Sequence, residues 1–237
     1  MFTGTSRLPR KLIWRGQRRS DWSLETSLDR LFGKLGMLSF DPSELERLSS
    51  LHLESFKYAA RGRRGQSPPR LDPNEWWSLG QHYGLATPLL DWSRSPFAAA
   101  YFAFDESASD PTPNRVVYAL DQSAVEFKND ELQNGVSLET GRLPIIEFIE
   151  PLSDENPRLV SQGGLFTRSP IGVPIESWVL RAFEGIQQPI LRRIEIPDAD
   201  RGVCLSSLDR MNINHLSLFP DLSGASRFAN LKLELNL

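Results

Sequence analysis

Cysteine, histidine and long apolar runs are scarce in this chain, and each scarcity removes a class of protein. The 237 residues contain one cysteine, Cys204, and three histidines. A single cysteine excludes an intrachain disulfide and a cysteine-based metal cluster, and we interpret it as a small buried apolar residue. No apolar run approaches the roughly 18 residues that span a bilayer, and the first residues lack a signal-peptide core. We therefore expect a cytoplasmic protein that has no membrane partner.

Charge of one sign and the common catalytic motifs are also missing. The 27 Lys and Arg residues and 30 Asp and Glu residues leave a formal net charge of -3, which gives no global electrostatic footprint for nucleic acid. The sequence contains no GxxxxGK[ST] or GxGxxG loop, no GxSxG elbow and no HExxH pair. P-loop, Rossmann, hydrolase-elbow and zinc-protease chemistry therefore have no support, and we expect no metal.

The apolar content of 40% is enough for the core of one α+β domain. Alternating or Val/Ile-rich segments predict strands at residues 11–17, 115–121, 144–151 and 190–197. Helical spacing predicts helices at residues 42–61, 74–83 and 95–106, and two more on either side of a "FPDL" turn near the end. No repeat or linker is visible, so we predict a single domain over residues 1–237. Its N-terminal strand and helices precede a strand-rich half and C-terminal helices.

A basic segment, "RGRRGQSPPRLDP", follows the predicted helix at residues 42–61. It carries four arginines, several glycines and prolines and no periodicity, so it is interpreted as a solvated connection. Contact with nucleic acid or phosphate is the alternative.

Three polar segments interrupt the predicted helices and strands. They are "WRGQ" at residues 14–17, "QHYGLATPLLDWS" at residues 81–93 and "RLVSQGGLF" at residues 158–166. Together they resemble the FRG domain family, which is named for a Phe/Tyr-Arg-Gly element. Trp22, Leu24 and Arg30 follow the element at similar spacing, and "SQGGLF" and "LFPDLSG" extend the resemblance over nearly the whole chain. The sequence departs from the family at Pro88, where an arginine is usual.

The family occurs in bacterial proteins and in mobile, defence-associated contexts, but its name supplies no reaction. The order of elements looks like that of the ADP-ribosyltransferase superfamily. This resemblance implies NAD as substrate, without a metal. It also implies a first-strand Arg or His that binds NAD, a middle motif that shapes the nicotinamide pocket and a late Glu that engages the ribose.

Mapped onto this sequence, the resemblance implies a catalytic set and a ligand-binding set. Arg15 suits phosphate or ribose oxygens because a guanidinium donates two parallel hydrogen bonds. The catalytic set is Arg15, His82, Gln162 and, as a fallback for the late glutamate, Glu195. The ligand-binding set is Gly16, Gln17, Tyr83, Gly84, Thr87, Asp91 and Trp92, with Tyr83 or Trp92 stacking on a ring. We expect residues 82–92 to form a tight turn between two helices, facing the end of the "WRGQ" strand in a concave polar site.

Structural explanations of the same residues remain open. Arg15 could be a buried arginine that pairs with Asp91 or Glu25, and His82 and Trp92 could belong to the core. "LFPDLSG" could be a turn with a helix cap at Asp221 or Ser223.

A second functional hypothesis is a non-catalytic module that binds a nucleotide, a nucleic acid or a partner protein. Gln162 favours it, because a neutral amide cannot stabilise an oxocarbenium ion by charge. The protein or nucleic-acid acceptor of a transferase stays open.

Overall fold

Six strands form one sheet in the computed structural model, which describes residues 10–107, 112–135, 144–151 and 157–235. The strands are β1 (Leu12–Gln17), β2 (Leu90–Ser93), β3 (Asn114–Asp121), β4 (Glu147–Ile149), β5 (Gly164–Arg168) and β6 (Leu191–Pro197). Their order across the sheet is β4-β5-β2-β1-β3-β6, and every neighbouring pair is antiparallel. The first strand in the chain therefore lies near the centre of the sheet.

Helices surround this sheet and also end the described chain. They are α1 (Ser27–Lys34), α2 (Pro42–Ala59), α3 (Pro73–His82), α4 (Pro96–Phe104), α5 (Gln122–Gly135), α6 (Pro157–Ser161), α7 (Ile175–Ala182), α8 (Arg201–Arg210), α9 (His215–Leu218) and α10 (Leu222–Leu235). The predicted α+β class is confirmed. Among the described residues, none of these helices combines the length and the apolar character that a membrane span needs.

Alternating side chains of the central strands divide the core between the two faces of the sheet, as the period of a strand requires. Ile13 and Val116 pack in one cluster with α5 and α7. Trp14 and Val117, each the next residue along its strand, pack in another cluster with α4, α8, α9 and α10. Both faces of β1 and β3 are therefore covered, which makes these strands the rigid centre of the molecule.

Helix α4 lies directly against β1, and Gly16 permits this contact. A Cβ atom at Gly16 would stand 1.9 Å from the carbonyl oxygen of Ala99 and 2.7 Å from the amide nitrogen of Ala103. Such distances are far shorter than van der Waals contact. The glycine of "WRGQ" therefore has a packing role in the fold.

The residues expected to form a turn before α4 include a strand, and this expectation was wrong. Leu90–Ser93 is β2, in which buried Leu90 and Trp92 alternate with exposed Asp91. It pairs with β5, which the sequence did not predict. A four-residue strand stabilised by a distant partner gives too short a pattern to be recognised locally.

The other predicted elements are present with shifted ends. The helix expected at residues 42–61 ends at Ala59, and the strand expected at residues 144–151 is limited to Glu147–Ile149. The second half of the chain contains, besides its strands, the helices α5 to α7, which were not predicted.

Candidate functional site

Strands β1 and β2 diverge, and the side chain of Arg15 spans the gap. The two strands share one paired position, Trp14 with Ser93. Beyond it, Arg15 Nη1 donates a hydrogen bond to the carbonyl oxygen of Asp91 at 2.8 Å and lies 3.7 Å from Asp91 Oδ2. A guanidinium therefore occupies the place where backbone pairing would otherwise continue.

A cavity of about 390 Å³, here called the cleft, opens beside this gap. It lies between β1, β2, β5, α3, α4, α6 and the segment after α9. The predicted residues that line it are Arg15, Gly16, His82, Asp91, Trp92 and Gln162. Three polar segments that are spread over about 150 residues of sequence thus meet at one place.

Five predicted site residues do not line the cleft. Gln17 is buried and donates to the carbonyl of Ser23. Thr87 is buried behind Gln81, Tyr83 is 73% exposed on another surface, and Gly84 forms an exposed turn with φ of 87°.

Glu195 also lies elsewhere. It sits on β6, which β3 separates from β1, and its carboxylate contacts Asn114 Nδ2 at 2.7 Å and Arg193 Nη2 at 2.8 Å. Glu195 therefore does not supply the cleft with the late glutamate that the resemblance implies.

Arg15 is mostly withdrawn from solvent, yet its hydrogen bonding is incomplete. Its side chain is 20% exposed, and Nε is buried without a hydrogen-bond partner. Burial lowers the pKa of Arg15, Asp91 opposes that shift, and nearby Arg30 adds to it. Because the Asp91 side chain is 64% exposed, solvent screens the pair and it stabilises the fold little. Glu25, the other predicted partner, accepts from Arg30 through its backbone carbonyl.

Gln81 orients Asp91 and was not among the predicted site residues. Its side-chain Nε2 donates to Asp91 Oδ1 at 2.8 Å, while its Oε1 accepts from the buried Thr87 hydroxyl. An amide held at both ends fixes the carboxylate at the wall of the cleft. Thr87 thus acts on the site through Gln81.

Two wall residues predicted from the central motif differ in their freedom to contact a ligand. Trp92 is 3% exposed and its indole N–H donates to Thr167 Oγ1 at 2.8 Å, so it belongs to the core. His82 is half-buried at the end of α3. Burial, and secondly the positive charge of Arg158, lower the pKa of His82, which favours a neutral imidazole at pH 7.

Arg158, which lines the cleft from α6, was also missed. Its Nε donates to Asp221 Oδ2 at 2.9 Å, and its guanidinium lies 5.2 Å from the Phe219 ring centroid. Asp221 in turn accepts from the amide of Gly224 at 2.8 Å, at the start of α10. The cap predicted for "LFPDLSG" is confirmed at Asp221.

Gln162 joins three parts of the cleft wall. Its side-chain amide donates to the carbonyl of Leu218 at 3.1 Å, and its own carbonyl accepts from Ser93 Oγ at 2.6 Å. These bonds connect α6 to α9 and β2. One of the two N–H groups of the side-chain amide is thereby committed to the protein.

A second cavity, of about 710 Å³ and here called the side pocket, adjoins the cleft. Both cavities are lined by Arg15, Gly16 and Phe102. The side pocket adds Arg30 and the 44% exposed ring of Trp22. Arg15 therefore stands at the junction of two concave surfaces.

Comparisons with known proteins give one positive result. No curated protein and no solved structure matches the chain. Among the described residues, no group of three or more His, Cys, Asp and Glu side chains could hold a metal ion. The FRG domain model matches residues 10–111, which include Arg15 and Asp91 and end before "SQGGLF" and "LFPDLSG". The match therefore supports the FRG domain family for this chain, over residues 10–111.

Proposed function

We propose that the cleft and the side pocket together bind a dinucleotide, with NAD as the expected ligand. The observation that carries the proposal is the position of Arg15, which lines both cavities and keeps a buried Nε without a partner. A ligand with two ring systems joined by a pyrophosphate would place its charge at that junction. A guanidinium is the side chain best suited to bind such an anion.

Charge around the junction supports this assignment. Arg30 lies close enough to Arg15 to contribute to lowering its pKa. The nearest counter-charge, Asp91, is exposed and 3.7 Å away. A bound pyrophosphate would relieve the repulsion between the two guanidinium groups and accept hydrogen bonds from the part of the Arg15 guanidinium that lines the cavities.

Aromatic rings are available on both sides of the junction. Phe102 lines the cleft and meets Phe219 edge-to-face with ring centroids 6.0 Å apart, whereas the Phe219 ring is itself stacked on His215. Trp22 presents an exposed ring in the side pocket. Each surface therefore offers a place to stack one planar base.

Calorimetric titration with NAD, ADP-ribose and AMP tests the proposal. NAD and ADP-ribose are expected to bind more tightly than AMP, because AMP fills one cavity and has no pyrophosphate. Trp22→Ala should weaken NAD binding about tenfold, the scale of one lost stacking contact. Phe127→Ala, which removes an exposed ring on α5 that lines neither cavity, is the matched control. Equal affinity for AMP and NAD, or an unchanged Trp22→Ala variant, would contradict the dinucleotide assignment.

A second candidate function is transfer of ADP-ribose from NAD, and Asp91 is the observation that favours it. Its carboxylate lines the cleft, is exposed and is held in place by Gln81. In such a transfer the bond from ribose C1′ to the nicotinamide nitrogen breaks, and nicotinamide leaves with the bonding electrons. The acceptor forms the new bond to C1′ and gives its proton to a base, for which Asp91 is the candidate.

Nicotinamide release, followed by chromatography with protein and nucleic-acid acceptors present, separates the two functions. Transfer predicts release that Asp91→Asn removes, whereas Glu195→Gln leaves it unchanged. NAD binding without release would leave the binding function alone, in agreement with the absence of a glutamate at Gln162.

A further inference from the structure

We propose that a separate surface, formed where α2 ends beside α3, binds single-stranded nucleic acid. This basic groove has a volume of about 780 Å³ and is lined by Phe56, Tyr58, Arg61, Arg63, Arg64 and Tyr83, among others. It shares no lining residue with the cleft or the side pocket. The proposal therefore stands whether or not the cleft binds a dinucleotide.

Two arginines of the basic groove, Arg61 and Arg63, donate to backbone carbonyl groups. Arg61 Nε donates to the carbonyl of Tyr58 at 3.2 Å, and Arg63 Nη1 donates to the carbonyl of Ala59 at 2.6 Å. Within the described ranges of the chain, neither guanidinium forms an ion pair with a carboxylate. Because each guanidinium has five N–H donors, most remain available to phosphate oxygens.

Two aromatic rings at the same surface are mostly exposed to solvent. Tyr58 and Tyr83 are 68% and 73% exposed. The guanidinium of Arg61 lies 3.7 Å from the centroid of the Tyr58 ring, which fixes the orientation of that ring. Apolar side chains such as Phe56 and Leu79 also line the groove. Such a surface can stack planar groups and contact anions together.

The combination of rings and guanidinium groups decides between partners. An acidic peptide would use the arginines and leave the tyrosines unexplained. Duplex nucleic acid hides the faces of its bases, whereas unpaired bases stack on aromatic side chains regardless of sequence. A role confined to the end of α2, where arginines satisfy the last carbonyls, accounts for Arg61 and Arg63 but not for the exposed Tyr83. Single-stranded nucleic acid would contact the arginines through its phosphates and the exposed tyrosines through its bases.

Fluorescence anisotropy with a labelled oligothymidylate of about 12 nucleotides tests the charge, since single-strand sites cover about 4 to 16 nucleotides. The double variant Arg61→Gln/Arg63→Gln is compared with Arg181→Gln/Arg210→Gln. Arg181 is a matched control because its Nε also donates to a backbone carbonyl of its own helix. The first variant should bind about tenfold more weakly and lose about 1.4 from the slope of log K against log salt, the share of two phosphate contacts.

The ring contribution is tested by Tyr83→Leu, whose exposed site keeps folding intact, as a thermal unfolding curve checks. It should also weaken oligothymidylate binding about tenfold. Polyglutamate serves as the competing partner. Three results would overturn the proposal. They are no oligothymidylate binding by the parent protein, an equal loss of binding in the Arg181/Arg210 control, and polyglutamate binding that Tyr83→Leu leaves unchanged.

Discussion

Two arginine sites on neighbouring strands show how differently the same side chain is used. Arg115 on β3 is fully buried, pairs with Asp198 and donates to the carbonyls of Ala103 at 2.7 Å and Glu106 at 3.0 Å. Arg15 on β1 has one hydrogen bond, to a carbonyl at 2.8 Å, and a carboxylate 3.7 Å away. Both strands pack against α4, so the difference does not come from depth in the sheet alone.

The contrast lies in what each site leaves open. Arg115 keeps only Nη2 without a partner, and it lines none of the described cavities. Arg15 lines two cavities and keeps its Nε without a partner. Where the protein itself supplies several acceptors, the arginine ties elements together. Where it supplies few beside a cavity, the arginine can serve a ligand.

Removal of Arg115 gives the largest expected effect. Arg115→Met leaves two carbonyls and the Asp198 carboxylate without their donor, and this should lower the free energy of unfolding by about 3 to 5 kcal/mol. Urea unfolding measures it, with Arg210→Met as an exposed control. A loss below about 1 kcal/mol would remove the distinction between the two arginine sites.

His215 offers a second test of polar contacts that serve the fold. It is buried beside Phe219 and its Nδ1 lies 3.1 Å from the Tyr101 hydroxyl. Burial is the main cause that lowers its pKa to about 4. The pKa of this histidine is about 6.5 in the unfolded chain and about 4 in the folded protein. Between these two pH values, the unfolded chain binds a proton that the folded protein does not. This histidine therefore makes stability fall as pH falls, by up to about 3 kcal/mol.

Comparing the parent protein with His215→Gln isolates the contribution of His215 to the pH dependence of the free energy of unfolding. Asp105 acts in the opposite sense, because burial raises its pKa to about 6 and its protonation favours the folded state as pH falls. Since Asp105 is present in both proteins, its contribution largely cancels in the difference. Urea unfolding at several pH values should show a smaller acid loss in His215→Gln, and an equal loss would contradict the assignment.

Gly16 is a further test of the distinction between packing residues and ligand-binding residues. It lines both cavities, but the close contact between β1 and α4 already explains why a glycine is needed there. Gly16→Ala should lower the free energy of unfolding by about 2 kcal/mol, since a Cβ there meets the backbone of Ala99 and forces β1 and α4 apart. Denaturant unfolding checks this. An alanine tolerated without loss would show that the helix can move, and would return Gly16 to the ligand-binding set.

The sequence predicts those parts of the fold whose signal is local. The alternation around Ile13 and Val116 and the helical spacing after Pro42 each lie within one element. The strands β2 and β5 were missed because each is four or five residues long and is stabilised by the other across a sequence distance of about 70 residues. Pairing over that distance leaves little trace in either segment.

The candidate site was also predicted only in part, since the sequence identified some of its residues and missed others. Arg15, His82 and Asp91 stood out because polar side chains interrupt apolar segments. Gln81 was overlooked although it lies beside His82, because its role appears only when Asp91 faces it. Arg158 and Phe219 reach the cleft from α6 and the end of α9, and sequence spacing alone could not bring them there. Glu195 shows the converse, because it was suggested by resemblance and the fold places it on β6, two strands away from β1.

The conservative change Arg15→Lys tests the central claim most directly, because it keeps the charge and removes the planar donor geometry. The free energy of unfolding should change by less than about 1 kcal/mol, as expected for a pair screened by solvent. NAD affinity, measured by calorimetry on the same sample, should fall about tenfold or more. Unchanged NAD affinity, or a stability loss of about 3 kcal/mol like that expected for Arg115, would contradict the account and make Arg15 a structural residue.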